Sequence, residues 1–309
     1  MTHSREFPNA AELSACPICA SENITHYLDC RDRHYGIQGV FATAICKSCG
    51  LVFLNPMLTP SQLSGLYPDG YYSYQPPKLE ANVRSVAKRI LRLKRDTLLP
   101  NFARPGTLLD VGCGAGQYLL DMKSRGWRVY GSELSKAGTA AGRSEALDIR
   151  EGELMNAGFP DNMFDFVRSN HSLEHMPDPR TVLLEMRRLL KNDGVLVIGV
   201  PNIDGLIARW FNQYWWNFGV PVHTYNFNAK NLGMLLEQCG FRVEKIRYYS
   251  DYSSLLGSIQ IWLNRKNRIG DATGAVLQSW ILRLPAQMIA RFLDFLRLGD
   301  CIELQCRKA

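Results

Sequence analysis

Short apolar runs alternate with amphipathic stretches along the last two thirds of the chain. Runs that stop at glycines or polar residues predict buried strands at 107–111, 127–131, 164–169, 195–200, 241–249 and 301–307. Apolar residues that recur every three to four positions predict helices at 117–125, 179–191 and 231–239. Strands that alternate with helices predict an α/β fold with a doubly wound, mostly parallel sheet.

The same pattern divides the chain into three parts. Residues 1–57 hold two cysteine pairs and are predicted to form a small N-terminal module. Residues 58–103 are predicted to be a linker and helical cap, with a basic helical stretch at 85–95. Residues 104–309 form the predicted main domain, in which 250–299 is too long for a plain loop and predicts a helical insertion.

Composition and charge exclude several classes of protein. Hydrophobic residues make up 46% of the 309-residue chain, an ordinary globular value. The net charge of +7, from 36 basic and 29 acidic side chains, is far below that of a dedicated nucleic-acid binder, so we expect no nucleic-acid partner. Neither a signal peptide nor an apolar run long enough to span a bilayer is recognisable. We therefore expect a cytoplasmic protein with reduced thiols.

A glycine-rich loop follows the first predicted strand of the main domain, as Asp110-Val111-Gly112-Cys113-Gly114-Ala115-Gly116. Glycines let a backbone approach a ligand closely, and the helix that follows points its N–H groups at a polar ligand. Glu133 ends the next predicted strand, where a carboxylate can accept both ribose hydroxyls of a nucleoside. The loop alone does not exclude two alternatives: a tight turn that binds no ligand, and the cofactor loop of a dehydrogenase. A dehydrogenase more often carries the spacing Gly-x-Gly-x-x-Gly.

Four segments together resemble class I S-adenosylmethionine-dependent methyltransferases, in the order in which that family carries them. Residues 108–116 resemble motif I, and residues 152–165 resemble the adenine-contacting region. Residues 170–179 resemble the segment after strand 4, and 189–196 is similar to the approach to strand 5. The resemblance covers about 100–250. It implies a Rossmann-like sheet of seven strands and S-adenosylmethionine as the methyl donor.

The resemblance also implies roles for single residues. The implied cofactor-binding residues are Asp110 at the methionine amino group, Gly112, Gly114 and Gly116 along the methionine and ribose, Glu133 at the ribose hydroxyls, Glu153 and Leu154 beside the adenine, and Asn170 beside the sulfonium. Methyl transfer from a sulfonium is an in-line displacement on an electrophile that is already activated. The protein therefore has to align the acceptor and remove its proton.

Two Cys-x-x-Cys pairs, Cys16-Pro17-Ile18-Cys19 and Cys46-Lys47-Ser48-Cys49, are separated by 26 residues. Four thiolates on two tight turns suit tetrahedral Zn²⁺, and a closed four-sulfur site of this kind is structural. We therefore predict a zinc site with Cys16, Cys19, Cys46 and Cys49 as ligands. Unligated reduced thiols and a redox-active pair are the alternatives.

The cysteine module resembles the zinc-binding module of bacterial methyltransferases in sugar and surface-glycan pathways, some of which methylate nucleotide-linked sugars at carbon. In those enzymes the next segment supplies a tyrosine to the substrate pocket. Tyr71, Tyr72 and Tyr74 match that region loosely, which makes Tyr72 a candidate site residue. The resemblance implies a small-molecule, sugar or glycan-like acceptor. The long C-terminal domain of the sugar C-methyltransferases has no counterpart here.

Three histidines are candidates for the proton acceptor, because histidine titrates near neutral pH. His175 is the preferred base, since Glu174 can orient it and it follows a central predicted strand, where open α/β sheets form their sites. His223 and His171 are further candidates, and a structural histidine is the alternative at each position. His171, Glu174 and His175 also fit an inverted zinc-protease pattern, but the prolines that follow exclude the helix which that pattern requires.

Two apolar helices flanked by arginines are predicted in the insertion, at 255–263 and 277–298. A lid or a homodimer contact is the favoured interpretation, and peripheral membrane contact through 254–298 is the alternative. For the whole chain, the sequence predicts an S-adenosylmethionine-dependent methyltransferase. A non-catalytic binding protein on a nucleotide fold, or a methyltransferase with a quinone- or lipid-like acceptor, remains open.

Overall fold

The computed structural model describes residues 10–66, 100–266 and 272–309. The strands are β1 (Ile24–Cys30), β2 (Phe41–Cys46), β3 (Val52–Leu54), β4 (Thr107–Val111), β5 (Arg128–Glu133), β6 (Asp148–Glu151), β7 (Phe164–Asn170), β8 (Leu190–Pro201), β9 (Tyr225–Asn226), β10 (Phe241–Tyr249) and β11 (Cys301–Lys308). The helices are α1 (Pro60–Ser64), α2 (Gln117–Ser124), α3 (Lys136–Arg143), α4 (Pro179–Leu189), α5 (Leu206–Phe211), α6 (Ala229–Gln238), α7 (Tyr252–Leu263), α8 (Ala275–Gln278) and α9 (Trp280–Phe295).

The main sheet has seven strands in the order β10-β11-β8-β7-β4-β5-β6. Neighbouring strands from β8 to β6 pair in parallel, and β11 pairs antiparallel with both β8 and β10. The residues through which the central strands β4, β7 and β8 pair are almost all buried, as expected for a sheet covered by helices on both faces. The predicted doubly wound, mostly parallel seven-stranded sheet is therefore confirmed.

The junction between α4 and β8 differs from the prediction. Asp178 caps α4 by accepting the Thr181 N–H, and Pro179 occupies the first turn. The helix ends at Leu189, not at 191, because Leu190 is fully buried opposite Phe164 of β7 and already belongs to β8. The turn-like residues 192–194 lie within β8, where the pairing with β7 shifts register between Leu190 and Val195.

A second, antiparallel sheet contains the cysteine pairs. Its strand order is β1-β2-β3-β9. The first three strands are consecutive, whereas β9 comes from 225–226, far along the chain, and pairs with Val52 and Phe53. The predicted N-terminal module therefore takes its last strand from the part of the chain that forms the main domain.

The small sheet and the main sheet share one apolar core. Cys16, Ile18, Leu51 and Phe53 belong to the same buried cluster as the central strands and α6. Polar contacts cross the same boundary: Lys230 Nζ donates to the Ser48 carbonyl at 2.8 Å. The two sheets are thus packed as one unit at the cysteine end.

Three helices lie in the described residues between β10 and β11, which are 250–266 and 272–300. The predicted helix at 255–263 is α7, which begins three residues earlier, at Tyr252. The predicted helix at 277–298 is divided at Ser279, whose extended backbone (ψ +112°) separates α8 from α9. Within the described parts of the chain, no helix is both long and apolar enough to cross a membrane.

Most of the large apolar side chains of α9 face outward. Those exposed are Trp280, Ile281, Leu282, Leu284, Met288, Ile289, Phe292 and Phe295. We call these eight residues the α9 apolar face. Upstream of this face, Trp215 is 1% exposed in the core, whereas Trp210 is 72% exposed.

Candidate functional site

The glycine loop joins β4 to α2 through left-handed backbone. The φ angle is +71° at Gly112, +54° at Gly114 and +82° at Gly116, values that favour glycine. A Cβ on Gly112 would lie 1.9 Å from Ser172 Oγ, and one on Gly116 would lie 2.6 Å from Leu147 Cδ1. The loop is therefore wedged between the segment after β7 and the start of β6.

Glu133, at the end of β5, lies against this loop. Its carboxylate accepts the backbone N–H of Gly114 at 2.9 Å and that of Ser135 at 2.8 Å. Burial raises the pKa of Glu133, and the backbone donors oppose that rise. The Glu133 carboxylate offers hydrogen-bond acceptors, and the backbone of the glycine loop and of the N-terminus of α2 offers donors. Together these groups suit the ribose and methionine parts of S-adenosylmethionine.

Asp110 has a partner that the sequence analysis missed. Asp110 is 2% exposed and lies directly opposite Arg168 of β7 in the sheet register. Arg168 Nη1 donates to both carboxylate oxygens, at 2.7 and 2.8 Å, and the guanidinium stacks on the Tyr118 ring at 3.9 Å. This buried ion pair accounts for Asp110 structurally, so its role at the methionine amino group stays a prediction.

The other predicted cofactor residues follow the carboxyl ends of β6 and β7. Glu153 is exposed and directly precedes a 3₁₀ turn (Leu154–Asn156), whose first residue, Leu154, is buried. Asn170 ends β7 opposite Gly199, where a Cβ would lie 2.4 Å from Asn170 Oδ1. Because β7, β4, β5 and β6 are neighbours, the structure brings the predicted cofactor residues to one edge of the sheet.

Glu174 and the histidines His171, His175 and His223 form one group at this edge, which we call the histidine cluster. His171 Nδ1 lies 3.5 Å from Glu174 Oε1, and the rings of His175 and His223 are 4.5 Å apart between centroids. Residues Leu173–His175 form a 3₁₀ turn, so the helix of the zinc-protease pattern is absent from this described segment. The structure therefore brings all three predicted histidines together.

The charges in the histidine cluster are strongly shifted by burial and by each other. Burial opposes the charge on Glu174, but the His171 imidazole and the other two histidines lower its pKa to about 2. Burial, and to a lesser extent the nearby His175, lowers the pKa of His223 to about 3. Burial also lowers the pKa of His175. At neutral pH the cluster thus combines an anionic Glu174 with neutral His175 and His223.

Tyr249, at the end of β10, is a further polar group that the sequence analysis did not select. Its hydroxyl lies 2.9 Å from His171 Nε2 and 3.4 Å from Asn170 Oδ1. The sequence pattern of the strand could not predict these contacts of Tyr249, because they depend on the position of β10 in the sheet. The candidate Tyr72, with Tyr71 and Tyr74, lies outside the described residues.

The four predicted zinc ligands converge at the N-terminal sheet. The Sγ atoms of Cys16, Cys19, Cys46 and Cys49 all lie within 4.8 Å of one another. The Cys16–Cys49 and Cys19–Cys46 sulfur distances are 3.6 and 3.5 Å. Sulfurs about 2.3 Å from a tetrahedral Zn²⁺ are about 3.8 Å apart, so this sulfur set fits the ion.

Comparison with known proteins decides the enzyme class. A sequence profile described as a methyltransferase domain matches residues 83–246, just over half of the chain. The chain belongs to this methyltransferase family. The predicted class, an S-adenosylmethionine-dependent methyltransferase, is therefore confirmed, and S-adenosylmethionine is the methyl donor.

Two relatives illustrate the range of similar methyltransferases. Demethylmenaquinone methyltransferase from Bacillus licheniformis is 35% identical over 174 residues, which cover 47% of this chain and 74% of the relative. A probable S-adenosylmethionine-dependent methyltransferase from Mycolicibacterium smegmatis is 32% identical over 139 residues, 44% of this chain and 52% of the relative. The matched region thus spans about half of this chain.

Solved structures with a similar chain trace include two S-adenosylmethionine-dependent methyltransferases. The one from Thermotoga maritima, described as a possible histamine N-methyltransferase, is 17% identical with a TM-score of 0.47, over 69% of this chain and 84% of that chain. The one from Archaeoglobus fulgidus is 19% identical with a TM-score of 0.46, over 72% and 90%.

Proposed function

We propose that this methyltransferase acts on a small-molecule acceptor held between the glycine loop and the histidine cluster, and that a histidine of the cluster takes the acceptor's proton. One observation carries the proposal. Gly112 of the glycine loop is in contact range of Ser172, which lies between His171 and Glu174. A methyl group presented at the loop is therefore close to the histidines.

The proposed cofactor site uses the residues gathered at the carboxyl edge of the sheet. Glu133 holds the ribose hydroxyls, and the backbone of Gly112, Gly114 and Gly116 lines the methionine. Glu153 and Leu154 flank the adenine, and Asn170 lies beside the sulfonium. In this proposal Asp110 acts through the loop backbone, since its carboxylate is engaged by Arg168.

The proposed chemistry needs only alignment and one proton transfer. S-adenosylmethionine supplies an activated methyl group. An acceptor hydroxyl attacks the methyl carbon, the sulfur–carbon bond breaks, and the hydroxyl proton passes to a histidine. The sequence favours His175 for this step. A neutral imidazole next to the anionic Glu174 is suited to it, because the carboxylate stabilises the imidazolium that forms.

Calorimetry and turnover test the two halves of this proposal separately. We expect Glu133→Gln to weaken S-adenosylmethionine binding by about tenfold or more, the loss of two charge-assisted hydrogen bonds. We expect His175→Ala to bind the cofactor normally and to lose at least about 100-fold in methyl transfer. Labelled methyl transfer to fractions of a cell extract, followed by identification of the product, supplies the acceptor.

His26→Gln is the matched control, because His26 is an exposed histidine paired with Asp29 on the small sheet. Cofactor affinity that is unchanged in Glu133→Gln would contradict the proposed ribose ligand. Turnover that is retained in His175→Ala, with His26→Gln equally active, would remove His175 from the mechanism.

A lipid-like acceptor at a membrane surface is the second candidate. The α9 apolar face supports it, because a face of eight exposed apolar side chains is typical of a surface that binds something. Arg297 is exposed two residues after α9 ends, and Arg283 and Arg291 are partly exposed along α9. Basic residues beside an apolar helix face suit anionic lipid headgroups. A sugar or glycan-like acceptor rests on the resemblance of the cysteine module alone.

We also propose that the cysteine set binds a structural Zn²⁺. Four sulfurs within 4.8 Å of one another, with the Cys16–Cys49 and Cys19–Cys46 pairs 3.6 and 3.5 Å apart, support this assignment. Two backbone turns support it as well, since the Ala20 N–H donates to the Cys16 carbonyl at 2.9 Å and the Gly50 N–H to the Cys46 carbonyl at 2.8 Å. Four protein sulfurs leave no coordination position for a substrate, so the ion has no part in the reaction.

A further inference from the structure

We propose that Glu174, His175 and His223 form a second metal site, which binds a divalent transition-metal cation at the carboxyl edge of the main sheet. These three side chains each offer one ligand atom, and the three atoms lie within 4.8 Å of one another. Ligand atoms about 2.1 Å from a cation are about 3.4 Å apart in tetrahedral geometry, so small side-chain rotations close the site.

Glu174 supplies the first argument for a cation. Its side chain is 0% exposed, and within the described residues neither carboxylate oxygen receives a hydrogen bond of normal geometry. It makes an ion pair with His171 Nδ1, at 3.5 Å. A buried carboxylate without hydrogen bonds is costly unless a positive charge compensates it. A bound cation provides that charge.

The hydrogen bonds of the two histidines supply the second argument. His175 Nδ1 lies 3.0 Å from the Val222 carbonyl, and His223 Nδ1 lies 2.9 Å from the Asn217 carbonyl. A carbonyl oxygen can only accept, so each Nδ1 carries the proton and the lone pair of each imidazole is on Nε2. Metal-binding histidines are typically anchored in this way, by a carbonyl that fixes the tautomer and the ring orientation.

The ligand set differs from the one in the zinc-protease sequence pattern. That pattern pairs His171 with His175 on one helix, whereas His171 has a left-handed backbone (φ +51°). Its Nε2 is engaged by the Tyr249 hydroxyl at 2.9 Å. His223, 48 residues downstream of His175, takes the place of the second histidine. Two imidazoles and one carboxylate suit Zn²⁺ and neighbouring first-row divalent cations.

A three-ligand site leaves a coordination position for an oxygen atom of the acceptor. This consequence rests on the proposed function, because it requires the acceptor to lie at the histidine cluster. The Nε2 atoms of His175 and His223 then bind the cation, so neither imidazole takes the acceptor's proton while the cation is bound.

Cobalt substitution tests the site without any methyl transfer. The purified chain is equilibrated with Co²⁺, and bound metal is measured by elemental analysis alongside visible absorption. We expect two equivalents in the wild type, one with the charge-transfer bands of thiolate ligands and one with ligand-field bands alone. His223→Gln and Glu174→Gln should each bind one equivalent and retain the thiolate bands, which report that the cysteine end is still folded. His26→Gln should bind two.

A wild-type chain that binds a single, thiolate-ligated equivalent would overturn the proposal. So would two full equivalents in both His223→Gln and Glu174→Gln. Failure of the proposed function gives a different result: a chain that binds two cations and transfers no methyl group contradicts only the acceptor site. Methyl transfer by a chain with one cation contradicts only the second metal site.

Discussion

At the scale of single residues, Gly112 brings the glycine loop into contact with the segment that carries His171 and Glu174. Its φ is +71°, and any Cβ there would lie only 1.9 Å from Ser172 Oγ, so glycine is required for two separate reasons. The first concerns backbone strain and the second concerns space. Gly158 has a similar φ of +69°, but no atom lies within 4 Å of where its Cβ would be. The two positions therefore separate the two requirements.

We predict that Gly158→Ala lowers the free energy of unfolding by about 1 kcal/mol, the cost of a left-handed alanine. Gly112→Ala should lose about 2–4 kcal/mol, because displacement of Ser172 adds to the same strain. Chemical denaturation measures both. The double variant Gly112→Ala/Ser172→Gly should recover part of the loss, and equal losses in the two alanine variants would show that Ser172 contributes nothing.

The residues of the site differ in how far the sequence could predict them. The glycines and Glu133 follow from a local motif, since the loop, the strand and the helix lie in one short stretch. Arg168 was predictable in principle, because a charge in a strand that is predicted to be buried needs an acidic partner. Tyr249 was not, since its contact with His171 depends on the order of strands in the sheet.

At the scale of elements, α9 is unusual because its outward side chains are apolar, whereas the exposed side of a helix on a globular protein is normally polar. Its inward positions Ala286, Ala290 and Leu293 are buried, as in any packed helix. Its outward positions form the α9 apolar face, where polar residues are expected on a solvated helix. The hydrophobic pattern predicted a helix here correctly. It could not predict which side is covered, because apolar residues occur on both the covered and the outward sides of the helix.

We predict that the wild type binds vesicles containing anionic phosphatidylglycerol and that binding weakens with salt, owing to the arginines beside α9. Phe292→Glu/Phe295→Glu should weaken binding at least about tenfold, since two aromatic rings leave the interface. Cosedimentation with the vesicles measures the binding of both proteins.

Leu184→Glu, at an exposed leucine of α4, is the control. No vesicle binding by the wild type, with a dimer in solution that the double variant dissociates, would assign the face to a second copy.

Element boundaries were predicted less well than element types. The strand ends at β4, β10 and β11 follow from abrupt changes between apolar and polar residues. The α4–β8 junction was wrong because burial of Leu190 outweighs the turn preference of residues 192–194. Strand β6 was missed, since only Ile149 of its four residues is buried and no alternation is visible.

At the scale of the whole molecule, β9 connects the cysteine end to the histidine cluster. Tyr225 and Asn226 pair with β3, and His223 lies two residues before them. The Thr224 N–H donates to the Glu174 carbonyl at 2.9 Å, and the Leu54 N–H donates to the Thr224 carbonyl at the same distance. The small sheet therefore helps to fix the backbone next to His223.

We predict that Cys46→Ser lowers the unfolding temperature by about 10 °C, since a structural zinc ion contributes several kcal/mol to folding. Methyl transfer should fall by more than S-adenosylmethionine affinity, because β9 supports the histidine cluster and not the glycine loop. Thermal melts, turnover and calorimetry make the comparison. Cys306→Ser, a buried thiol in β11 outside the four-sulfur set, is the control, and equal effects of the two variants would contradict a zinc role.

The position of β9 also has a consequence for biosynthesis. A ribosome releases β1, β2 and β3 long before it reaches residue 225, so the growing chain carries the free edge of β3 through most of its synthesis. An unpaired strand edge invites pairing with other chains. Nascent chains that stall before residue 225 should therefore associate through this edge, and those that pass it should not.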